Sequence, residues 1–176
     1  MRAMFLEFPD DRTTHYLDRQ YMLGKEKYYT IVVRFLNLFC GTSGPNLLVV
    51  PIFVPVDEDA EYYLPAGRWT SFFHPERTVT GPKWVKERVP IDEIPVWVRP
   101  GSVLLLGPEG IGRPDYDYTQ RLEVRAYGLE DGAKVTVDVP VGKGTDLAGQ
   151  IKVQRVNGAL SVEVDGGPQV ANTWSN

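Results

Sequence analysis

The chain has 176 residues, of which 43% are hydrophobic and 24% are charged, and its formal net charge is −4. This composition is typical of a folded globular protein and excludes a disordered chain. The mild acidity argues against a nucleic-acid partner and against an anionic membrane surface. The most apolar stretch, residues 28–40, contains Arg34 and is too short to span a bilayer.

Cysteine and histidine are scarce, which limits the metal and redox chemistry of the chain. Cys40 is the only cysteine, so no disulfide can form within the chain. With His15 and His74 it supplies too few ligands for a Cys/His zinc site, and no EF-hand spacing is present. A calcium site stays open because Asp and Glu are numerous, but with no ligand pattern pointing to one we expect no metal residue and no cofactor. The N-terminus lacks a signal-peptide pattern, which favours a cytoplasmic location, although the natural start can lie upstream of Met1.

The first 24 residues differ in pattern from the rest of the chain. Arg2–Phe8 is a short apolar run that ends at a turn, Pro9-Asp10-Asp11. Apolar residues over Thr13–Leu23 recur at spacings of one, three and four, which predicts a helix. Asp11, Thr13 or Thr14 is the expected N-terminal cap of that helix.

After Gly44 the sequence is typical of β-strands. A turn is expected at Pro65-Ala66-Gly67, and another over Arg99–Ser102. The expected strands are Asn46–Val54, Glu61–Leu64, Trp69–Phe73, Val85–Val89, Val96–Val98 and Val103–Leu106. Short strands with frequent turns predict an antiparallel β-sandwich over residues 45–107.

A Gly- and Pro-rich stretch, 108–119, is expected to be a linker to a second, smaller β domain over 120–176. Apolar residues alternate cleanly in that domain, at Leu122–Ala126, Val135–Val139, Ile151–Val153 and Leu160–Val164. Asn157-Gly158 separates two alternating runs and predicts a hairpin turn, because both residues tolerate a positive φ. The tail from Gly166, including Trp174, is expected to fray.

Acid/base chemistry on a glycosidic bond needs two carboxylates, about 5–5.5 Å apart in retaining enzymes. The chain offers many carboxylates, but their settings are typical of turns, helix caps and solvated loops. We therefore expect none of them to be catalytic: Asp10, Asp11, Asp18, Asp57, Glu58, Asp59, Asp92, Glu93, Asp115 and Asp117.

Other catalytic or binding patterns are weak. The chain has no Gly-x-Ser-x-Gly elbow for a Ser/His/Asp triad, and His74-Pro75 fits a turn. Gly142–Thr145 lacks the following helix that a phosphate site needs. Five aromatic residues are candidates for a sugar-stacking platform, although alternating aromatics on strands are more often core: Trp69, Phe72, Phe73, Trp84 and Trp97.

Two stretches resemble family 31 glycoside hydrolases, at the point where the catalytic (β/α)₈ barrel ends and the C-terminal β domains begin. The first runs from Met1-Arg2-Ala3-Met4 through Glu7-Phe8-Pro9-Asp10-Asp11 to Gln20-Tyr21-Met22-Leu23-Gly24. The second joins Pro45–Phe53, Tyr63–Thr70 and Ile94–Ser102. The resemblance is specific over 1–24 and 45–107 and weak over 108–176. The sequence of the first stretch resembles the α-xylosidase branch more than the α-glucosidases.

The resemblance implies a fold and an activity for the intact enzyme. The fold is mainly β, with a proximal antiparallel sandwich and a distal β domain that follow a remnant of the last barrel segment. The activity is retaining hydrolysis of terminal α-xylosidic or α-glucosidic bonds. The family's nucleophile motif, Trp-x-Asp-Met-x-Glu, is absent, and its acid/base aspartate precedes the matched region. No catalytic, cofactor or metal residue carries over, so we expect the chain alone to be inactive and poorly soluble.

The implied division is therefore a barrel remnant at 1–24, the proximal sandwich at 45–107, the linker at 108–119 and the distal domain at 120–176. Residues 25–44 interrupt the family pattern, in which Tyr-Met-Leu-Gly runs directly into Pro-Asn-Leu-Leu. Codons for Gly24-Lys25 can contain a splice donor and codons for Ser43-Gly44 an acceptor, so we interpret 25–44 as a retained intron. The alternative is a genuine insertion.

The implied partners are the missing catalytic barrel and, in the intact enzyme, an α-linked oligosaccharide. Two other interpretations stay open. A free-standing carbohydrate-binding sandwich has no use for the N-terminal stretch, which therefore argues for an enzyme fragment. A truncated gene product without activity is compatible with that fragment.

Overall fold

The computed structural model describes residues 1–25, 38–39, 44–107, 117, 119–140 and 146–175. The described chain is mostly β-strand and divides into two compact units. Unit 1 consists of Met1–Leu23 and Pro45–Pro100, and unit 2 consists of Gly24–Gly44 and Gly101–Asn176. The predicted mainly β fold with antiparallel sheets is confirmed.

Unit 1 is built on a six-stranded sheet in the order β1-β2-β4-β7-β5-β6. Its strands are β1 (Arg2–Ala3), β2 (Tyr21–Lys25), β4 (Gly44–Val49), β5 (Ala60–Ser71), β6 (Thr78–Glu87) and β7 (Val96–Val98). The short helix α1 (Met4–Glu7) and a 3₁₀ helix (Arg12–Tyr16) lie between β1 and β2. The pairs β1–β2, β4–β7, β7–β5 and β5–β6 are antiparallel.

The core of unit 1 joins the N-terminal segment to the sheet. Met4 and Met22 are fully buried in one cluster with the indole rings of Trp69 and Trp97. Phe8 packs edge-on against Trp69, with the ring centroids 6.3 Å apart. The stretch that carries the family resemblance at 1–24 is therefore an integral part of this fold.

The helix predicted over Thr13–Leu23 is wrong beyond its first turn. Asp11 caps that turn as expected, since its Oδ1 accepts a hydrogen bond of 3.1 Å from the backbone N–H of Thr13. The chain then straightens because the buried Gln20 side chain bonds to the backbone of Tyr63 in both directions, at 2.7 and 3.0 Å. These tertiary hydrogen bonds outweigh the helical spacing of the apolar residues.

The turn predicted at Pro65-Ala66-Gly67 is also wrong, because β5 runs through it as one strand with a register shift between Leu64 and Gly67. A bulge accommodates a proline that cannot donate to the ladder. The freed Pro65 carbonyl accepts a hydrogen bond of 2.8 Å from Trp69 Nε1. A Cβ on Gly81 would lie 2.0 Å from that carbonyl oxygen, so the bulge requires glycine on the facing strand.

Unit 2 contains two sheets. A three-stranded antiparallel sheet has the order β10-β11-β12, and a four-stranded sheet has the order β13-β9-β8-β3. The strands are β3 (Leu38–Phe39), β8 (Ser102–Leu106), β9 (Leu122–Tyr127), β10 (Lys134–Pro140), β11 (Leu147–Val156), β12 (Ala159–Gly166) and β13 (Val170–Ser175).

The two sheets of unit 2 share one apolar core, which makes this unit a sandwich. Val103, Leu105 and Val124 contribute from one sheet, and Val137 and Ile151 from the other. The predicted hairpin is confirmed: Asn157 and Gly158 have φ values of 50° and 80°, between the paired strands β11 and β12.

Two expectations for this part of the chain are wrong. Val103–Leu106 does not join the sheet of 45–100; it lies in β8, which pairs with β9. The tail does not fray, because Val170–Ser175 forms β13, a parallel partner of β9, and Trp174 packs on Tyr127 with ring centroids 5.0 Å apart.

The predicted insertion at 25–44 lies almost entirely outside the described residues. Its interpretation as a retained intron or a genuine insertion stays a prediction. Of its residues, Lys25 ends β2, Gly44 begins β4, and Leu38–Phe39 pairs with Leu105 and Leu106. The flanking strands that contain Gly24 and Gly44 are neighbours in one sheet.

Candidate functional site

The chemistry-bearing side chains of unit 1 gather around the N-terminal segment and the long strands β5 and β6. Glu7 is a largely buried carboxylate of this segment, with a side chain 10% exposed. Its Oε2 accepts from Arg2 at 2.8 Å, and its Oε1 accepts from Arg99. The Arg99 guanidinium also lies over the Phe8 ring, 5.2 Å from its centroid.

This cluster joins residues that are distant in sequence but belong to the two stretches of the family resemblance. Arg2 and Glu7 come from the first stretch, and Arg99 comes from the end of the second. Sequence analysis did not single them out. The available sign was a charged residue inside an apolar run, Glu7 after Phe5-Leu6 and before Phe8. The cluster fixes the N-terminal segment against the end of β7.

Asp11 makes a second connection between the segment and the sheet. Its Oδ2 accepts a hydrogen bond of 2.8 Å from the Tyr63 hydroxyl, while Oδ1 caps the 3₁₀ helix. Burial, followed by the hydrogen bond to Asp11, raises the pKa of Tyr63. The structural role expected for Asp11 is consistent with these contacts.

A third network lies under β5, β6 and β7. The Tyr62 hydroxyl donates to Glu87, and Arg77 pairs with the other oxygen of that carboxylate. Trp97 Nε1 donates to the Tyr62 oxygen at 3.2 Å, and the Arg77 guanidinium lies 4.9 Å from the Trp97 ring centroid. Burial, then the contact with Glu87, raises the pKa of Tyr62 well above its usual value of 10.0.

The other carboxylates singled out by sequence do not converge on a common cleft in the described part of the chain. They are exposed: Asp10, Asp18, Asp57, Glu58, Asp59, Asp92, Glu93 and Asp117. Asp117 accepts hydrogen bonds from the backbone and side chain of Thr119, which lower its pKa. Asp115 and the Gly142–Thr145 stretch lie outside the described residues.

The two histidines make separate contacts. His15 contacts the Pro9 carbonyl oxygen at 3.2 Å and the Phe5 ring. His74 lies between Glu76 and Glu93, at 3.8 and 3.5 Å. Over the described ranges, no group of three or more His, Cys, Asp or Glu residues is placed to hold a metal ion. Within the same ranges, no helix has the length and apolar character to cross a membrane.

The five aromatic candidates do not form one platform. Trp69, Phe72 and Trp97 are buried in the core, as alternating aromatics usually are. Phe73 and Trp84 are about half exposed. Trp84 packs against Tyr63, its cross-strand partner, with ring centroids 5.4 Å apart.

An open groove of about 600 Å³ lies beside Tyr63. One wall consists of the segment from Glu7 to Thr13, and the other consists of Tyr63, Pro65 and Ala66 from β5 with Pro82 from β6. The groove thus combines charged side chains of the N-terminal turn with flat apolar rings of the sheet.

Comparison with known families accounts for both units. The sequence profile of the Glycosyl hydrolase family 31 C-terminal domain matches residues 1–33 and 41–104. The profile of the Alpha-xylosidase YicI C-terminal domain matches residues 117–175. Residues 34–40 fall outside the first match, a shorter stretch than the predicted insertion at 25–44.

Individual relatives support the same family assignment. Alpha-xylosidase XylQ of Lactiplantibacillus pentosus is 32% identical over 94% of this chain, which spans 19% of the relative's length. An alpha-xylosidase of Emericella nidulans is also 32% identical, over 74% of the chain and 15% of its own length. The solved GH31 alpha-xylosidase of Xanthomonas citri has the same fold, with a TM-score of 0.68 and 23% identity over 98% of this chain and 18% of that one. The chain thus spans about a fifth or less of these proteins and belongs to glycoside hydrolase family 31, in the region of its C-terminal domains.

Proposed function

We propose that this chain is the non-catalytic C-terminal part of a retaining α-glycosidase that hydrolyses terminal α-xylosidic or α-glucosidic bonds, and that alone it hydrolyses neither. The α-xylosidic substrate is favoured because the two relatives described above, each 32% identical to this chain, are α-xylosidases. A carbohydrate-binding sandwich is the alternative, but it does not account for the N-terminal segment.

The engagement of the carboxylates carries this proposal. In the described chain, the carboxylate residues that are not exposed are Glu7, Asp11, Glu87 and Glu123. Each accepts hydrogen bonds from an arginine, a tyrosine or the backbone of its own unit. Retaining hydrolysis needs one carboxylate free to attack and a second free to donate a proton to the same bond. These four carboxylates serve as acceptors in contacts that hold their own unit together, which supports a structural role for them.

The N-terminal segment also indicates the partner. Its inner face is fixed by Met4, Glu7 and Asp11, but Phe5 is 43% exposed and Tyr16 86% exposed, and both line one surface groove. Large apolar side chains close together on a surface are typical of an interface. Because the whole relatives are far longer than this chain, we propose that the catalytic barrel covers this face in the intact enzyme.

An activity assay tests the proposal. The purified chain is incubated with aryl α-xyloside and aryl α-glucoside, with the whole XylQ relative as positive control. We expect no release of the aryl group above the buffer background. Turnover that co-purifies with the chain, and that is lost in the double variant Asp10→Asn, Asp11→Asn, would contradict the proposal, because it would place a catalytic carboxylate in this chain.

A further inference from the structure

The groove beside Tyr63 has the two kinds of wall that sugar recognition requires. A pyranose ring has apolar C–H faces, which pack on flat aromatic or proline rings. Its edge carries hydroxyl groups, which both donate and accept hydrogen bonds. At about 600 Å³, the groove is within the size range of small-molecule sites, roughly 300–1,000 Å³.

The apolar wall continues beyond the groove along β6. Pro82 lines the groove, and Trp84, two residues further on, is on the same face of the strand. Trp84 is 48% exposed, and its ring packs against the ring of Tyr63, itself a groove residue. About half of the surface of this residue is therefore open to solvent beside the groove.

The polar wall is held in a defined conformation. Asp11 is anchored by the Thr13 N–H and the Tyr63 hydroxyl, so the turn from Pro9 to Thr13 is fixed against β5. Asp10 and Arg12, on either side of Asp11, are exposed and line the groove. Preorganised polar groups bind with a smaller entropic cost than mobile ones.

The charges of this wall select the class of ligand. Asp10 and Arg12, the exposed charged residues of the groove, have opposite signs, so the rim offers both acceptors and donors. Glu7 and Asp11 also line the groove but already accept hydrogen bonds within unit 1. A phosphate or carboxylate ligand would meet the Asp10 and Asp11 carboxylates, whereas a simple cation would meet Arg12. A neutral ligand with hydroxyl groups on its edge satisfies both.

We propose that this groove, with Trp84 at its side, is a binding site for a neutral glycoside. The pyranose face packs on Trp84 and Pro82, and the hydroxyl edge bonds to Asp10 and Arg12. This proposal does not rest on the function proposed above, because a chain without catalytic carboxylates can still bind a sugar.

The test is a titration of the ¹⁵N-labelled chain followed by NMR, with the indole Nε1–H signals of the four tryptophans as probes. The ligands are methyl α-D-xylopyranoside, methyl α-D-glucopyranoside and maltotriose, and glycerol and glucuronate serve as controls. We expect a saturable shift of the Trp84 signal with the neutral glycosides. Glycerol, which has no ring face, and the anionic glucuronate should give no saturation.

Two aromatic variants distinguish binding at this site from non-specific binding to exposed aromatic rings. Trp84→Ala should weaken glycoside binding roughly tenfold or more, as truncation of an aromatic contact does. Phe73→Ala removes a similarly exposed aromatic at the opposite end of the β5–β6 ladder and should leave binding unchanged. Circular dichroism verifies that both variants fold, and Asp10→Asn provides a second loss of affinity without loss of a ring.

Absence of saturation with every neutral glycoside would overturn the site, as would equal affinity in wild type and Trp84→Ala. Neither result bears on the activity assay, so the two proposals fail separately.

Discussion

The two units reach a buried core by different means. Unit 2 relies mainly on alternating Val, Leu and Ile residues from two sheets. Unit 1 surrounds its tryptophans with side-chain hydrogen bonds and ion pairs, including those of Glu7, Asp11 and Glu87. Non-directional burial suits a simple sandwich, whereas directional contacts can hold an irregular N-terminal segment in one position.

Core truncation gives the largest effect that can test this difference. Trp69→Ala should lower the free energy of unfolding by about 3–5 kcal/mol, and Ile151→Ala by about 2–5 kcal/mol. Both residues are fully buried, but Trp69 also donates a hydrogen bond to the Pro65 carbonyl. Denaturant unfolding of both variants, monitored by fluorescence and circular dichroism, measures these losses.

Trp69→Phe distinguishes the contribution of ring burial from that of the hydrogen bond to Pro65, because it retains a ring but removes the indole N–H. A loss of about 1–3 kcal/mol is expected when a buried carbonyl loses its donor. If Trp69→Phe is as stable as wild type, the hydrogen bond is not needed, and unit 1 is stabilised by burial in the same way as unit 2.

The Tyr62 network offers a second test, of intermediate size. Tyr62→Phe removes the hydrogen bond to Glu87 and should cost about 1.5–3 kcal/mol at neutral pH, as expected for a bond to a charged group. The pKa of Tyr62 is raised in the folded state, so its contribution is fully present below the ordinary value of 10.0. It is lost as the pH rises above 10, because the unfolded tyrosine then ionises first.

The wild type should therefore lose about 1.4 kcal/mol per pH unit above pH 10 from this residue, and Tyr62→Phe should not. The difference in the free energy of unfolding between wild type and Tyr62→Phe should therefore become smaller between pH 9 and pH 11. Urea unfolding at each pH measures it, with the exposed Tyr16→Phe as a control that should follow wild type. A difference that stays constant with pH would show that Tyr62 acts through packing alone.

The contrast between the units also explains which features could be predicted from sequence. In unit 2 each strand buries one face, so period-two alternation predicted β9, β10 and β12, and Asn157-Gly158 predicted the turn between β11 and β12. In unit 1 the deciding interactions are non-local. Gln20 bonds to a backbone 43 residues away, and Glu7 pairs with Arg99 across 92 residues. Local spacing therefore predicted a helix where the chain forms a strand.

The candidate site follows the same rule. Asp11 was predicted as a turn and cap residue because its partner, Thr13, lies only two residues away in sequence. Its second partner, Tyr63, is 52 residues away, and so the groove between them had no local signature. The prediction that the tail from Gly166 frays was wrong for a similar reason, since the partner that orders the tail is the distant strand β9.

The smallest effect concerns the hairpin that sequence did predict. Gly158 has φ of +80°, and a Cβ placed there would meet no atom within 4 Å. Gly158→Ala should therefore cost only the backbone strain of a left-handed conformation, about 1–2 kcal/mol. Gly158→Asn is the matched control: asparagine adopts this conformation readily, so that variant should keep most of the stability. Thermal unfolding of the three proteins distinguishes these outcomes. Equal losses in both variants would mean that an added side chain, and not the left-handed backbone conformation, causes the loss. That result would contradict the open surroundings of Gly158.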